Sequence, residues 1–187
     1  MKLLIILMLT FFGTLYLLSQ TVEEEVEVNV QEEWTKDEFI DEVASYAVPL
    51  RSTHGIRPSV TIAQAILESN WGESRLSRQE NNFFGIKGQS SETAYATREY
   101  DEEWEEVMAS FRSYPSLEAS VEDYADLIKN GTNWDPKLYE DVQKASTYQG
   151  AAQALYTAGY ATDPSYPEKV ITIIETYDLN RFDEKSK

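Results

Sequence analysis

Glu68 is the residue in this chain best placed to do chemistry. It falls near the end of the run Ser59-Val-Thr-Ile-Ala-Gln-Ala-Ile-Leu-Glu-Ser-Asn-Trp71, in which apolar side chains occupy nearly every side of a helix, and its close neighbours are Ile66, Leu67 and Trp71. Burial of this kind disfavours the charged form of a carboxyl group and raises its pKa. The negative end of the helix dipole acts in the same direction. A carboxylic acid that keeps its proton near neutral pH is what a general acid needs, above all for breaking a glycosidic bond. Two other readings compete: a solvated glutamate on an exposed strip of the helix, or a glutamate paired with Arg75.

Composition removes most other chemistries. Among 187 residues there is no cysteine, which excludes disulfides, a thiolate nucleophile and a cysteine zinc site. The single histidine, His54, cannot build a multi-histidine metal centre, and its Ser-Thr-His-Gly setting reads as a surface loop. No metal and no cofactor is therefore expected. Thirty-three acids against 16 bases give a formal charge of -17. That balance argues against nucleic acid as a partner, because phosphate contacts need clustered Lys and Arg.

The elements that must hold Glu68 can be read from punctuation and period. Thr35-x-x-Glu38 is a capping box opening a helix with Phe39, Ile40, Val43 and Ala47 on one side, expected to end before Pro49. Arg57-Pro58 starts the helix of Glu68, which is expected to stop at Gly72. Between Thr93 and Tyr114 the period changes to alternation, with Val107, Ala109 and Phe111 on one face, which predicts a β-hairpin. Ser116 caps a helix through Leu117, Val121, Tyr124, Ala125 and Ile128. Short helices are predicted over Leu138 to Val142 and over Thr147 to Ala158, the second closed by Gly159. Asp163-Pro164 reads as an N-cap followed by proline at the first helical position of a last helix that buries Val170, Ile173, Ile174 and Tyr177. The fold class is mostly α with a small β-hairpin, in one domain over residues 34–182 with a polar tail at 183–187.

Ahead of that domain, Leu3 to Leu18 carries no charge and follows Lys2, as in an export signal or an N-terminal anchor. The exit at Leu17-Leu18-Ser19-Gln20 lacks the small-residue pattern of a cleavage site, so residues 1–20 are expected to anchor the chain in the cytoplasmic membrane, facing outward; a cleaved signal would leave it secreted. Residues 21–33 hold six glutamates and no Lys or Arg, the composition of an extended acidic tether.

Short segments in order add a family resemblance. Ala65-Ile66-Leu67-Glu68-Ser69-x-Trp71-Gly72-x-Ser74 is followed by Asn81-Asn82-Phe83-Phe84-Gly85-Ile86-Lys87-Gly88. Thr97-Arg98-Glu99-Tyr100 and Phe111-Arg112-x-Tyr114 come next, then Gly159-Tyr160-Ala161-Thr162-Asp163-Pro164-x-Tyr166. Together they resemble the glucosaminidase domains of glycoside hydrolase family 73, across about Thr35 to Leu179. The resemblance implies a lysozyme-like fold, with a helical lobe and a small β-lobe flanking a groove. It also implies cleavage of bacterial peptidoglycan strands after N-acetylglucosamine.

By the same resemblance Glu68 is the catalytic acid, Glu99 a second carboxylate across the groove, and Tyr166, with Tyr160, a tyrosine lining the site. Glu99 either activates a water, which requires carboxyls roughly 6.5–9.5 Å apart, or is one of the six acids crowded between Glu99 and Glu106. In the alternative route the substrate's 2-acetamido group attacks and Tyr166 orients it. Trp71, Phe84, Tyr160 and Tyr166 are candidate platforms for pyranose faces, and Asn82 a candidate partner for hydroxyls; core packing competes for Trp71 and Phe83. Muramidase or lytic transglycosylase action on the same fold, or a wall-binding module without activity, are the rival functions. A larger wall-remodelling assembly is a further expected partner, since no wall-binding repeat is visible in the chain.

Overall fold

The computed structural model describes residues 34–88, 94–101 and 103–184. The expected anchor, the tether and residues 185–187 lie outside them. Among the described residues no helix is long and apolar enough to cross a membrane.

The helix α1 runs Lys36–His54 and opens on the predicted capping box, the Thr35 hydroxyl accepting from Glu38 N while the Glu38 carboxylate accepts from Thr35 N at 2.8 Å. It does not end before Pro49. Pro49 lies inside the helix on its exposed face, and the chain continues to Gly55, whose φ of 73° closes it. A proline within a helix forfeits a hydrogen bond at a cost of about 3 kcal/mol. The added turn is held by long-range contacts that local punctuation does not reveal: His54 Nε2 meets Asp126 Oδ1 at 3.3 Å, and Arg51 meets Asp183 at 3.8 Å. His54 is thus half-buried at a helix end, not in a surface loop.

Helix α2, Pro58–Ser69, is the axis of the fold. Every residue from Pro58 to Ile66 is buried. It packs on α1 and on the later helices α6 (Tyr148–Thr157), α7 (Tyr166–Thr176) and α8 (Arg181–Glu184). It ends three residues before the predicted Gly72, because Asn70, Trp71 and Gly72 turn in succession into the left-handed region, with φ of 49°, 63° and 78°. Asn tolerates that region and takes the capping role that usually falls to glycine. For Trp71 the same conformation costs about 1–2 kcal/mol, offset by its seat against Phe39 and Tyr177, with ring centroids 5.9 and 4.9 Å away.

A short helix α3, Arg75–Glu80, not anticipated from the sequence, leads to the turn at 81–88. Strands β1 (Tyr95–Asp101) and β2 (Glu103–Ala109) form the predicted antiparallel hairpin, pairing Tyr95 with Ala109 and Glu99 with Glu105. Lys87 makes an isolated antiparallel bridge to Phe111. Phe111 and Tyr95 turn inward and meet edge to face at 6.1 Å, rooting the hairpin in the body.

Helix α4, Leu117–Asn130, is capped by Ser116 as expected and packs on α1. The short helix α5 covers Glu140–Lys144, two residues later than predicted, because 136–139 form a turn in which Tyr139 is buried. Thr147 caps α6. Helix α7 also starts two residues late. Asp163 is not its N-cap: its Oδ1 accepts from Ser165 N at 2.8 Å, building the turn ahead of a helix whose cap is Ser165 and whose proline is Pro167. Val170 and Ile174 are buried as predicted, but Ile173 and Tyr177 are only half-covered.

The domain does not stop at 182. Asp183, in α8, accepts from Ser59 N and Ser59 Oγ at 3.0 Å and from Arg57 at 3.1 Å, so it clamps the N-terminus of α2. A residue assigned by composition to a polar tail is structural because its partners lie over a hundred positions away in the chain.

Candidate active site

A groove of about 1060 Å³ opens over the C-terminal end of α2. One wall is the turn at Phe84–Lys87 with the hairpin residues Thr97, Glu99 and Trp104; the other is the segment Ala158–Asp163 with Tyr166 and Lys169 of α7. At one end stand Thr132, Asn133 and Trp134 from the α4–α5 connection. This volume suits several sugar rings. The two walls touch where Tyr100 N donates to Thr162 Oγ1 at 2.9 Å.

Glu68 sits in the floor of the groove, half-buried, with its open side toward the cavity. Burial raises its pKa from 4.5 to about 7, against the hydrogen bond from Tyr166 and the charge of Lys169, which both favour the carboxylate. The carboxyl is therefore half-protonated near neutral pH. It is not paired with Arg75, whose Nε donates to Gln79 at 2.9 Å and whose guanidinium lies over the Tyr95 ring.

Tyr166, 4% exposed, donates its hydroxyl to Glu68 Oε1 at 2.9 Å. Its oxygen accepts from Gln64 Nε2 at 2.8 Å, and Gln64 Oε1 accepts from the Tyr124 hydroxyl. Burial, then the neighbouring Glu68 charge, push the Tyr166 and Tyr160 hydroxyls well above the usual tyrosine range, so both keep their protons. Tyr160 lines the groove and donates to Phe84 O at 2.8 Å.

Glu99 reaches the same groove from β1, held in an ion pair with Lys87. Lys169 pairs with Asp163 at 2.5 Å, and Arg112 with Asp123 at 2.7 Å. In a chain carrying a formal -17, the groove thus gathers Arg75, Lys87, Arg112 and Lys169 beside the acids Glu68, Glu99 and Asp163. Among the described residues no cluster of three or more His, Cys, Asp or Glu could hold a metal ion.

Three expected substrate contacts are spent largely on the protein itself, although Phe84 also lines the groove. Trp71 does not line the groove; its positive φ carries it into the aromatic cluster of Trp34, Phe39, Phe83 and Tyr177, under Lys36. Asn82, 1% exposed, spends its side chain on backbone: Nδ2 donates to Ile86 O and Arg112 O, and Oδ1 accepts from Ile86 N at 3.1 Å and Phe84 N at 3.4 Å. It builds the turn that brings Gly85 against Glu68. The Phe84 ring, also 1% exposed, stacks on Tyr124 at 4.3 Å and 13°.

Two polar residues buried behind the groove, and one exposed tryptophan that lines it, complete the site. Gln64 and Thr61 precede Glu68 by four and seven positions on the buried helix, a polar stripe at helical spacing that could have flagged them. Trp134 carried no local signal. It is 83% exposed, held out by a turn in which Thr132 N donates to Asp135 O and Asp135 N to Thr132 Oγ1. A tryptophan left this open at a groove end is suited to stack on a sugar. Trp134→Ala is expected to lower kcat/KM about ten-fold on long glycan strands while leaving short oligosaccharides nearly unaffected. Equal losses on both would count against a stacking role.

A half-buried carboxyl whose pKa is raised to about 7, in the floor of an aromatic-lined groove, is the equipment of a glycosidase. The glucosaminidase family, described as mannosyl-glycoprotein endo-beta-N-acetylglucosaminidase, matches over residues 44–179, and the chain belongs to it. It is 40% identical over 176 residues to the exo-glucosaminidase LytG of Bacillus subtilis, covering 91% of this chain and 62% of that protein. It is 44% identical to a probable N-acetylmuramidase of Lactococcus lactis, covering 79% of this chain and 35% of that one. The chain thus spans less than two thirds of these relatives. The solved catalytic domain of the Listeria monocytogenes autolysin Auto superposes with a TM-score of 0.67 at 39% identity, covering 78% of this chain and 85% of that one. The lysozyme-like arrangement expected from the resemblance, helices plus a small antiparallel β element beside a groove, agrees with that structure.

Proposed function

We propose that this protein hydrolyses the β-1,4 bond after N-acetylglucosamine in peptidoglycan, with Glu68 as general acid. The observation that carries the reading is the Glu68 carboxyl, its pKa raised to about 7 in the groove floor beside Tyr166. Family membership and the glucosaminidase name of the Bacillus relative support the substrate.

In this reading the strand lies along the groove. Glu68 gives its proton to the bridging oxygen as the bond from that oxygen to C1 breaks and positive charge develops on the sugar. Water then supplies hydroxide to C1, and its proton returns to a carboxylate. Glu99 is the water's base in one route. In the other the 2-acetamido oxygen attacks C1 first, with Tyr166 orienting it. Glu99 lines the groove wall in an ion pair with Lys87.

The test is mass spectrometry of borohydride-reduced muropeptides released from purified cell walls. A reduced glucosamine terminus supports the reading. A reduced muramic acid terminus would favour the muramidase reading, which the name of the lactococcal relative suggests. A 1,6-anhydro terminus would indicate a transglycosylase, and no release an inactive wall-binding module.

The acid must be protonated to act, so kcat/KM is expected to stay high on the acid side and fall as pH rises through about 7, the value to which burial brings Glu68. A profile still rising between pH 7 and 9 would contradict the assignment.

Residues 1–20 are proposed to hold the domain on the outer side of the cytoplasmic membrane, with 21–33 as the tether, within reach of nascent strands and of a wall-remodelling assembly. Tethering would supply the local concentration that a charge of -17 denies on an anionic wall. Recovery in washed membranes supports this; release of the full chain into the medium overturns it.

A further inference from the structure

We infer that Gln64 and Tyr124 are positioning residues that decide which oxygen of Glu68 carries the transferable proton. The inference rests on Glu68 being the acid.

The chain of hydrogen bonds behind Glu68 has a direction. Gln64 Nε2 is a donor with no lone pair to offer, so the Tyr166 oxygen it approaches at 2.8 Å must accept. The Tyr166 proton cannot then point at Gln64. Among the described residues the Tyr166 hydroxyl makes only this bond and the one to Glu68 Oε1 at 2.9 Å, so its proton goes to Oε1. What holds the Gln64 amide in this orientation is Tyr124, whose hydroxyl donates to Gln64 Oε1. Gln64 and Tyr124 are both fully buried, so no water competes for these groups. Each member passes one proton toward Glu68, and successive bonds polarise one another.

The consequence falls on Glu68. With Oε1 accepting from Tyr166, the carboxyl proton is left to Oε2. That is the oxygen beside Gly85: a Cβ built at Gly85 would meet Glu68 Oε2 at 3.7 Å and no other atom within 4 Å. Gly85 lines the groove and holds a φ of +64°, so its missing side chain leaves clear space in front of the proton-bearing oxygen. The stripe Gln64–Glu68 on α2, with Tyr124 from α4 and Tyr166 from α7 set between, thus aims the proton at the substrate.

Removing the amide frees the Tyr166 oxygen to accept from Glu68. The carboxyl proton can then sit on Oε1, facing inward, where it cannot reach the glycosidic oxygen. The push on Tyr166 is also lost, the bond it donates to the carboxylate weakens, and the Glu68 pKa rises. The other groups facing Glu68 do not change: Lys169 on α7, Tyr160 and Asp163 in the preceding segment, and Glu99 with its Lys87 partner across the groove.

The experiment is the pH profile of wall hydrolysis by the full chain and by Gln64→Met, Tyr124→Phe and Glu68→Gln, with thermal unfolding of each. Gln64→Met is expected to lower kcat about ten-fold with KM unchanged and to move the alkaline limb upward by about half a pH unit. Tyr124→Phe, which keeps the ring and removes only the hydroxyl, is expected to act in the same direction by about two- to three-fold. It decides the matter if Gln64→Met does not fold. Slower cleavage with an unmoved alkaline limb in the folded variant would mean a merely structural role and overturn the inference, as would an unchanged rate. Glu68→Gln separates the two levels: cleavage surviving that change would refute Glu68 as the acid itself.

Discussion

Glu68→Gln is expected to reduce wall cleavage by about 10³-fold, the scale of general-acid catalysis, while making the folded protein more stable at alkaline pH. The same burial causes both effects. The carboxyl has its pKa raised from 4.5 to about 7 in the folded protein. Between those values the native state holds a proton that the unfolded chain has given up, so stability is full below about pH 4.5 and declines as pH rises through 7. The decline attributable to this group is about 3 kcal/mol. Glutamine has nearly the same shape and never ionises. Denaturant unfolding of parent and variant should coincide at pH 4.5 and diverge by pH 8, with the variant the more stable. Coincidence at both pH values would mean that Glu68 is solvated when ionised, and the argument for a poised acid would go with it. This stability gained by deleting the carboxyl is the reverse of what a structural glutamate would show.

The other large effect is far from the chemistry. Asp183→Ala is expected to destabilise the protein by about 3 kcal/mol. Its carboxylate, 10% exposed, accepts from Ser59 N, Ser59 Oγ and Arg57, and lies 3.8 Å from Arg51. Removing it leaves two guanidinium groups without their shared counter-charge and an amide at the start of α2 without its acceptor. Because α2 carries Thr61, Gln64 and Glu68, the helix that presents this carboxyl would also fray from its first turn. Urea unfolding measures this directly. A change below about 0.5 kcal/mol would show that the cluster behaves as an ordinary surface pair. Truncating the chain before Asp183 should reproduce the loss.

Much of the scaffold was legible because it is local. The capping box at Thr35 and Glu38, the Ser116 cap, the apolar periodicity of α2 and the alternation of the hairpin each depend on neighbours within a few residues. Helices α5 and α7 start late because of local turns, while two other boundaries moved for long-range reasons. Helix α1 passes through Pro49 because Asp126 and Asp183 hold its last turns, and α2 ends early because Trp71 finds a seat on Phe39 and Tyr177.

For the site the division is similar. The sequence by itself set a carboxyl near the end of an apolar helix, since the hydrophobicity around Glu68 is a property of adjacent residues, and it left burial, solvation and an Arg75 pair as competing fates for that group. It also determined that no cysteine chemistry and no multi-histidine metal centre was available. Only the tertiary structure decided that Tyr166 rather than Arg75 contacts that carboxyl, that Asn82 and Phe84 serve the backbone and the core, and that Gln64 and Tyr124 stand behind Glu68. The physical reason is that hydrogen-bond partnership depends on direction and on a few tenths of an ångström, set by how α2, α4 and α7 pack. Hydrophobic burial is non-directional and survives translation into a one-dimensional pattern.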